Sequence, residues 1–148
     1  MGKALLKILL WVLVAAFVVL YPITISMMVY LPLFIGFAGY MILWGIDGHG
    51  VRYIWFPLIY LINLEANLSL PMFLSLLAVL LYYLTLYEKI RYLKRCSVCV
   101  GLLSVIAIDL YYFVILLSYD FVFDTSSIFV NSLLLYSLVF DLIFVVLL

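Results

Sequence analysis

Residues 8–46 read ILLWVLVAAFVVLYPITISMMVYLPLFIGFAGYMILWGI and contain no charged side chain. About 20 residues of helix cross the hydrocarbon of a bilayer, so this stretch is too long for one crossing. Its prolines, Pro22 and Pro32, supply the break, because proline lacks an N–H and disfavours helix at the residue before it. The spacing predicts a first span over 4–22 and a second over 29–46. The reading of this stretch decides the fold class: apolar helices placed end to end, joined by short turns.

The rest of the chain has the same character. It is 148 residues long, 72% hydrophobic and 9% charged, whereas a soluble domain carries about a quarter charged residues. No soluble fold of this length has enough interior to hide that apolar fraction, so lipid is the expected solvent. The N-terminus resembles a secretory leader, with Lys3, Lys7, an apolar run and Val14-Ala15-Ala16. Large apolar residues continue well beyond Ala16, however, and the segment reads as a retained span.

Working outward, DGHGVR (47–52) is a tight polar turn whose glycines tolerate a reversal. A third span is expected over 52–67, a fourth from Pro71 to Tyr87, a fifth over 97–118 and a sixth over 127–148. The segment SYDFVFDTSS (118–127) reads as a loop. The expected fold is thus an all-α integral membrane protein, a bundle of about six transmembrane helices forming one domain over 1–148. The third segment is short, contains Pro57 and ends polar, so a re-entrant hairpin is an open alternative there.

Six spans place both termini, the 47–52 turn and the 88–95 loop on one side. Those places hold Lys3, Lys7, Arg52, Lys89, Arg91, Lys94 and Arg95, which are all seven basic residues of the chain. The opposite loops hold Glu65, Asp120 and Asp124. Excess Lys and Arg in short loops marks the cytoplasmic face, which gives an N-in, C-in orientation. Trp11, Trp44 and Trp55 then fall near the inner boundary, as an interfacial aromatic belt does.

The stretch EKIRYLKRCSVC (88–99) gathers Lys89, Arg91, Lys94 and Arg95 with both cysteines. Cys96 and Cys99 have redox-pair spacing, but the topology puts them in a reducing compartment with no second pair to relay electrons. They read as small boundary residues. The basic side chains set topology, meet anionic headgroups and offer a docking surface for a partner. His49 is the only histidine, so no metal set is expected, and no cofactor. No phosphate loop and no nucleophile beside a base is present, so no enzyme is expected.

Asp109 and Asp141 lie deep within predicted spans, at similar height. A carboxyl costs roughly 2.5–3.5 kcal/mol at the centre of a membrane helix and faces a bundle interior or polar cavity. With no Lys, Arg or His at that depth, hydrogen bonds to Tyr, Ser or Asn are expected. Interhelical bonding, a proton pathway and partner contact are the open roles. Asn63, Glu65, Asn67 and Ser69 gather at the outer end of the third span.

The order of features in residues 29–95 resembles MreD, the small membrane subunit of the bacterial rod-shape machinery. Pro32 starts an apolar span, a short turn follows, and Glu65 stands six residues before Pro71 with Ser69 between them. YLTLYEKIRYLKR is similar to that family's basic inner loop. Glu replaces the family's Asp, Met72-Phe73 stand where Leu-Gly is expected, and no basic residue follows Arg95. The resemblance implies a multi-pass protein of the bacterial inner (cytoplasmic) membrane, a non-enzymatic scaffold for cell shape and peptidoglycan synthesis. It implies an MreC-like periplasmic partner and RodA-, PBP2- or MreB-type components, met through Glu65, Ser69, Pro71 and the basic loop, while Asn67, Asp109 and Asp141 are candidate partner-contact or intramembrane polar residues by their own positions.

The same architecture is similar to the substrate-binding subunits of energy-coupling-factor vitamin transporters. That alternative implies an outer pocket built from Glu65, Asn63, Asn67, Asp120 and Asp124. It also implies small-residue faces such as Gly36-Phe37-Ala38-Gly39 turned toward a transport subunit. A small subunit of another membrane complex is a third reading.

Overall fold

Long apolar runs interrupted by proline and glycine give helices whose ends are set by those breakers, and by tertiary contacts where the breakers are overruled. The computed structural model describes residues 2–28, 31–92, 96–124 and 128–147. It is all-α, with six helices. These are α1 (Gly2–Met27), α2 (Ile35–Trp44, widening into a π-type turn over Gly45–His49) and α3 (Arg52–Asn67). They continue with α4 (Leu74–Tyr82, prolonged through Tyr83–Tyr87 and Glu88–Arg91), α5 (Ser97–Phe123) and α6 (Ile128–Leu147). Two stretches, Ala4–Met27 and Val98–Phe123, are long and apolar enough to cross a membrane.

Several boundaries differ from the expectation, and the second span, expected from residue 29, is helical from Ile35, because Pro32 and the left-handed Phe34 precede it. α1 does not stop at Pro22 but runs through it to Met27. Pro22 has no N–H to give the Val18 carbonyl four residues back. Asn63 of α3 supplies the missing donor, its Nδ2 lying 3.4 Å from the Val18 oxygen and 3.1 Å from that of Val19. α4 passes Tyr87 and carries Glu88, Lys89 and Arg91 as helix rather than loop, since all three are good helix formers and no breaker precedes them. α5 absorbs half of the expected 118–127 loop and ends at Asp124, which turns left-handed at φ 53°.

The 47–52 reversal is made as expected by its glycines, Gly48 at φ 101° and Gly50 at φ 123°. α3 occupies the predicted residues and is continuous through Pro57. α2 packs against α3, α5 and α6, α1 lies along α3, and α4 packs on α5. Small residues on α2 allow this: a Cβ added at Gly39 would come within 2.8 Å of Val79 on α4 and 3.1 Å of Ile108 on α5. The glycines of residues 36–39 therefore face the chain's own helices. The contact layer is made by Leu61, Leu64, Ala78, Tyr82, Val105 and Ile108, all fully or almost fully buried. The outward face of α1 is the reverse, with Leu5, Leu6, Ile8 and Leu13 each more than 60% exposed.

Candidate functional site

Helix starts leave amide N–H groups without intrahelical partners. Buried among apolar neighbours, these groups need protein acceptors. α2 and α4 meet this need in the same way. Each follows a Pro-x-Phe triplet, Pro32-Leu33-Phe34 and Pro71-Met72-Phe73, and each Phe is left-handed, at φ 51° and φ 70°. Neither Phe carries a capping side chain, so a carboxylate from another helix takes that place.

For α4 the acceptor is Glu65. Its Oε2 accepts the Phe73 N–H and its Oε1 the Ser75 N–H, both at 2.6 Å, and the residue is 1% exposed. A carboxylate at a helix N-terminus is further favoured by the helix dipole. The turn that brings Glu65 there is a Schellman ending of α3. Ser69 adopts the left-handed conformation at φ 52°, and the Leu70 N–H bonds back to the Glu65 carbonyl at 3.0 Å, closing the six-residue loop of that motif. Pro71, lacking an N–H, then stands two residues before Phe73, the N-cap residue of α4. The Asn67 amide is engaged within α3, donating to the Asn63 carbonyl at 2.8 Å and to Asn63 Oδ1 at 2.9 Å.

For α2 the acceptor is Asp141 of α6, fully buried. Its Oδ2 takes the Gly36 N–H at 2.9 Å and the Phe37 N–H at 3.3 Å. The extended entry before the helix is held from three sides. The Tyr21 hydroxyl donates to the Pro32 carbonyl at 3.0 Å and the Tyr60 hydroxyl to the Leu33 carbonyl at 2.8 Å. Ser137 Oγ accepts the Leu33 N–H at 2.9 Å.

Asp109 of α5 reaches the same point. A Cβ on Gly36 would meet its Oδ1 at 2.7 Å, so only glycine lets the two chains approach. Asp109 Oδ2 and Asp141 Oδ1 are buried without a hydrogen-bond partner in the structure. Asp109 also borders a lateral groove of about 430 Å³ between α5 and α6, lined with Leu134 and Leu138. The sequence reading expected both carboxyls at similar height and bonded to Tyr, Ser or Asn. The structure brings them together on Gly36, and for Asp141 the donors are backbone amides of α2 instead. A first-turn amide with no local cap is a donor that residue-type reasoning does not see.

The opposite end of the bundle carries charge. Arg91 Nη1 lies 3.6 Å from Asp47 Oδ1, and the Tyr87 hydroxyl donates to Asp47 Oδ2. Arg52 sets its guanidinium 5.3 Å above the Trp11 ring, one helical turn from Lys7. Lys89 is exposed, and Lys94 and Arg95 lie outside the described residues. Cys96 caps α5, its Sγ accepting the Cys99 N–H at 3.3 Å. The two sulfurs are joined as a disulfide, where the sequence reading expected separate thiols.

The residues singled out in the sequence thus fall into three separate places: the α3–α4 turn, the start of α2, and the basic end. Among the described residues no three His, Cys, Asp or Glu side chains gather to hold a metal ion. The sequence reading missed Phe34, Ser137 and the Tyr21–Tyr60 pair, and it named Gly36 and Phe73 without their part in the two helix starts. The repeated Pro-x-Phe triplet before two apolar helices was the available signal. No protein-family model, curated protein or solved structure matches the chain.

Proposed function

We propose that the chain crosses the bacterial inner membrane six times, N-in and C-in, and works as a non-enzymatic scaffold subunit of the cell-elongation machinery, similar to MreD. The observation that carries this reading is the role of Glu65 and Pro71. The acid and proline that resemble the family signature build the α3–α4 reversal, the acid capping the helix that the proline introduces. A signature explained by a turn suits a subunit whose work is to hold a shape against partners.

The membrane topology is supported by where charge and apolar surface lie. Arg91 meets Asp47 and Arg52 meets Trp11 near Lys7, which gathers the 47–52 turn, the end of α4 and the start of α1 at one end of the bundle. Contiguous exposed aliphatic residues along α1 suit lipid contact far better than water. In this topology an MreC-like partner meets the outer end or the lipid-facing helices. Lys89 and the following basic residues face RodA-, PBP2- or MreB-type components. α3, 16 residues long, reaches about 24 Å at 1.5 Å per residue and crosses with local thinning of the bilayer.

The vitamin-transporter alternative has weaker support. Both Glu65 oxygens are engaged by backbone amides, which leaves little for a ligand in an outer pocket, and Gly36 and Gly39 are covered by α4 and α5.

Affinity purification of a tagged chain after gentle detergent extraction tests the proposal. Shape and peptidoglycan-synthesis proteins are expected to co-purify, to be weakened by charge reversal at Lys89, and the cells to become round on depletion. Normal cell shape on depletion, together with a vitamin-sized molecule that raises the melting temperature of the purified chain, would overturn it in favour of the transporter reading.

A further inference from the structure

A groove runs between α1, α2 and α3, with Phe144 of α6 at its back, and encloses about 320 Å³. At about 30 Å³ per water molecule this is room for roughly ten waters, yet the walls offer water almost nothing to bind. Val14, Phe37, Ala38 and Phe56 line it, and the Tyr60 hydroxyl in its wall is already engaged by the Leu33 carbonyl. Along α1 the lining extends from Leu10 to Val18, a wall of about 12 Å at 1.5 Å per residue. The groove is long, apolar and open on one side.

Its mouth differs from its walls. Arg52 stands there with its guanidinium over the Trp11 ring, and the helical spacing of Lys7 and Trp11 sets a second cation one turn farther out on α1. Arg91 at the same end of the bundle has a carboxylate partner in Asp47. Arg52 has no carboxylate partner among the described residues, and its described contact is the indole alone. A cation stacked on an aromatic ring keeps its N–H donors directed outward. An apolar slot with an uncompensated guanidinium at one end is complementary to an amphiphile with an anionic head.

We infer that this groove binds an anionic phospholipid of the surrounding bilayer, with an acyl chain between α1 and α3 and the headgroup phosphate on Arg52. Basic pockets between helices on the cytoplasmic side commonly take such headgroups, and Arg presents a planar fork that matches phosphate. α1 otherwise rests on α3 chiefly through one face, so a bound chain completes the packing of a helix whose outer side is bare. The inference rests on the membrane reading above but not on the scaffold role.

The test is native mass spectrometry of the detergent-purified chain titrated with phosphatidylglycerol or with phosphatidylcholine of identical acyl chains. Phosphatidylglycerol is expected to bind about fivefold more tightly, the effect of about one cationic contact near the membrane surface. Arg52→Gln should bring it down to the phosphatidylcholine level, and Val14→Trp, which fills the groove, should weaken both lipids. Equal affinity for the two headgroups in the unaltered chain, or phosphatidylglycerol binding untouched by Arg52→Gln, would overturn the inference.

A phosphatidylglycerol carrying a diazirine on its acyl chain gives a readout that does not depend on the variants folding. Label on α1 and α3 peptides supports the site. Label confined to α4 and α5 overturns it. Alkaline carbonate extraction of membranes separates the two failures. A chain released by carbonate removes the membrane reading itself, while a retained chain without headgroup preference removes only the lipid site.

Discussion

Glu65 carries more of the architecture than its position at the end of a helix suggests. One carboxylate satisfies two amides of a neighbouring helix in a site where water does not reach, and hydrogen bonds to a charged group contribute about 1.5–3 kcal/mol each. Glu65→Ala leaves both donors buried without acceptors and is expected to cost roughly 2–4 kcal/mol, at the upper end for loss of a cap. Glu65→Gln retains one acceptor and turns an amide donor toward the other N–H, so its loss should fall between those of Ala and wild type. The check is the thermal melting of the chain in a mild detergent. A Glu65→Ala protein that melts like wild type but no longer retains its membrane partners would mean that the carboxylate is a contact residue and not a cap. Asp141 does the same service for α2 through Oδ2 alone, and Asp109 and Asp141 each leave one buried oxygen without a hydrogen-bond partner.

At the scale of elements, the apolar runs predict six helices and the structure has six, because burial of long hydrophobic segments dominates local preference. The boundaries were legible only where the stopping signal is local. The glycines of the 47–52 turn are such signals, and so is Pro71 ahead of α4. Pro22 was misread because its effect depends on Asn63, which lies 45 residues from the Val18 carbonyl it bonds. Asp120 was read as loop for its polarity, although an exposed helix end tolerates polar side chains well. The α2 cap was illegible for the same reason as Pro22, since Gly36 and Asp141 are 105 residues apart. A double-mutant cycle tests the account of Pro22. Asn63→Ala should cost about 1 kcal/mol in the natural chain, where two carbonyls lose their donor. In a Pro22→Ala background the restored N–H re-bonds Val18, and the cost should shrink. The Asn67 contact to Asn63 is lost in both backgrounds and cancels. Equal costs in the two backgrounds would show that Asn63 plays no part in carrying α1 through the proline.

For the whole molecule, the disposition of charge has the largest consequence. The sequence places its seven basic residues in three segments, and the structure joins these through Arg52–Trp11 and Arg91–Asp47 at one end of the bundle. Asp124 closes α5 at the other end of a helix of 27 residues, about 40 Å from its start at 1.5 Å per residue, enough to separate the two membrane faces. Cationic loops remain on the cytoplasmic side during insertion, so the end bearing Asp124 should face outward. In a background with Cys96 and Cys99 replaced by Ser, a cysteine at position 124 should react with a membrane-impermeant thiol reagent on intact cells. A cysteine at position 94 should react only after the cells are opened. Serine is itself a strong N-cap, so Cys96→Ser keeps the start of α5 and makes the background a fair host for both probes. The opposite pattern, 94 labelled and 124 protected, would invert the orientation and with it the proposed sides for the periplasmic and cytoplasmic partners. Labelling of both positions on intact cells would mean that α5 does not cross the bilayer, and the six-span topology would fall.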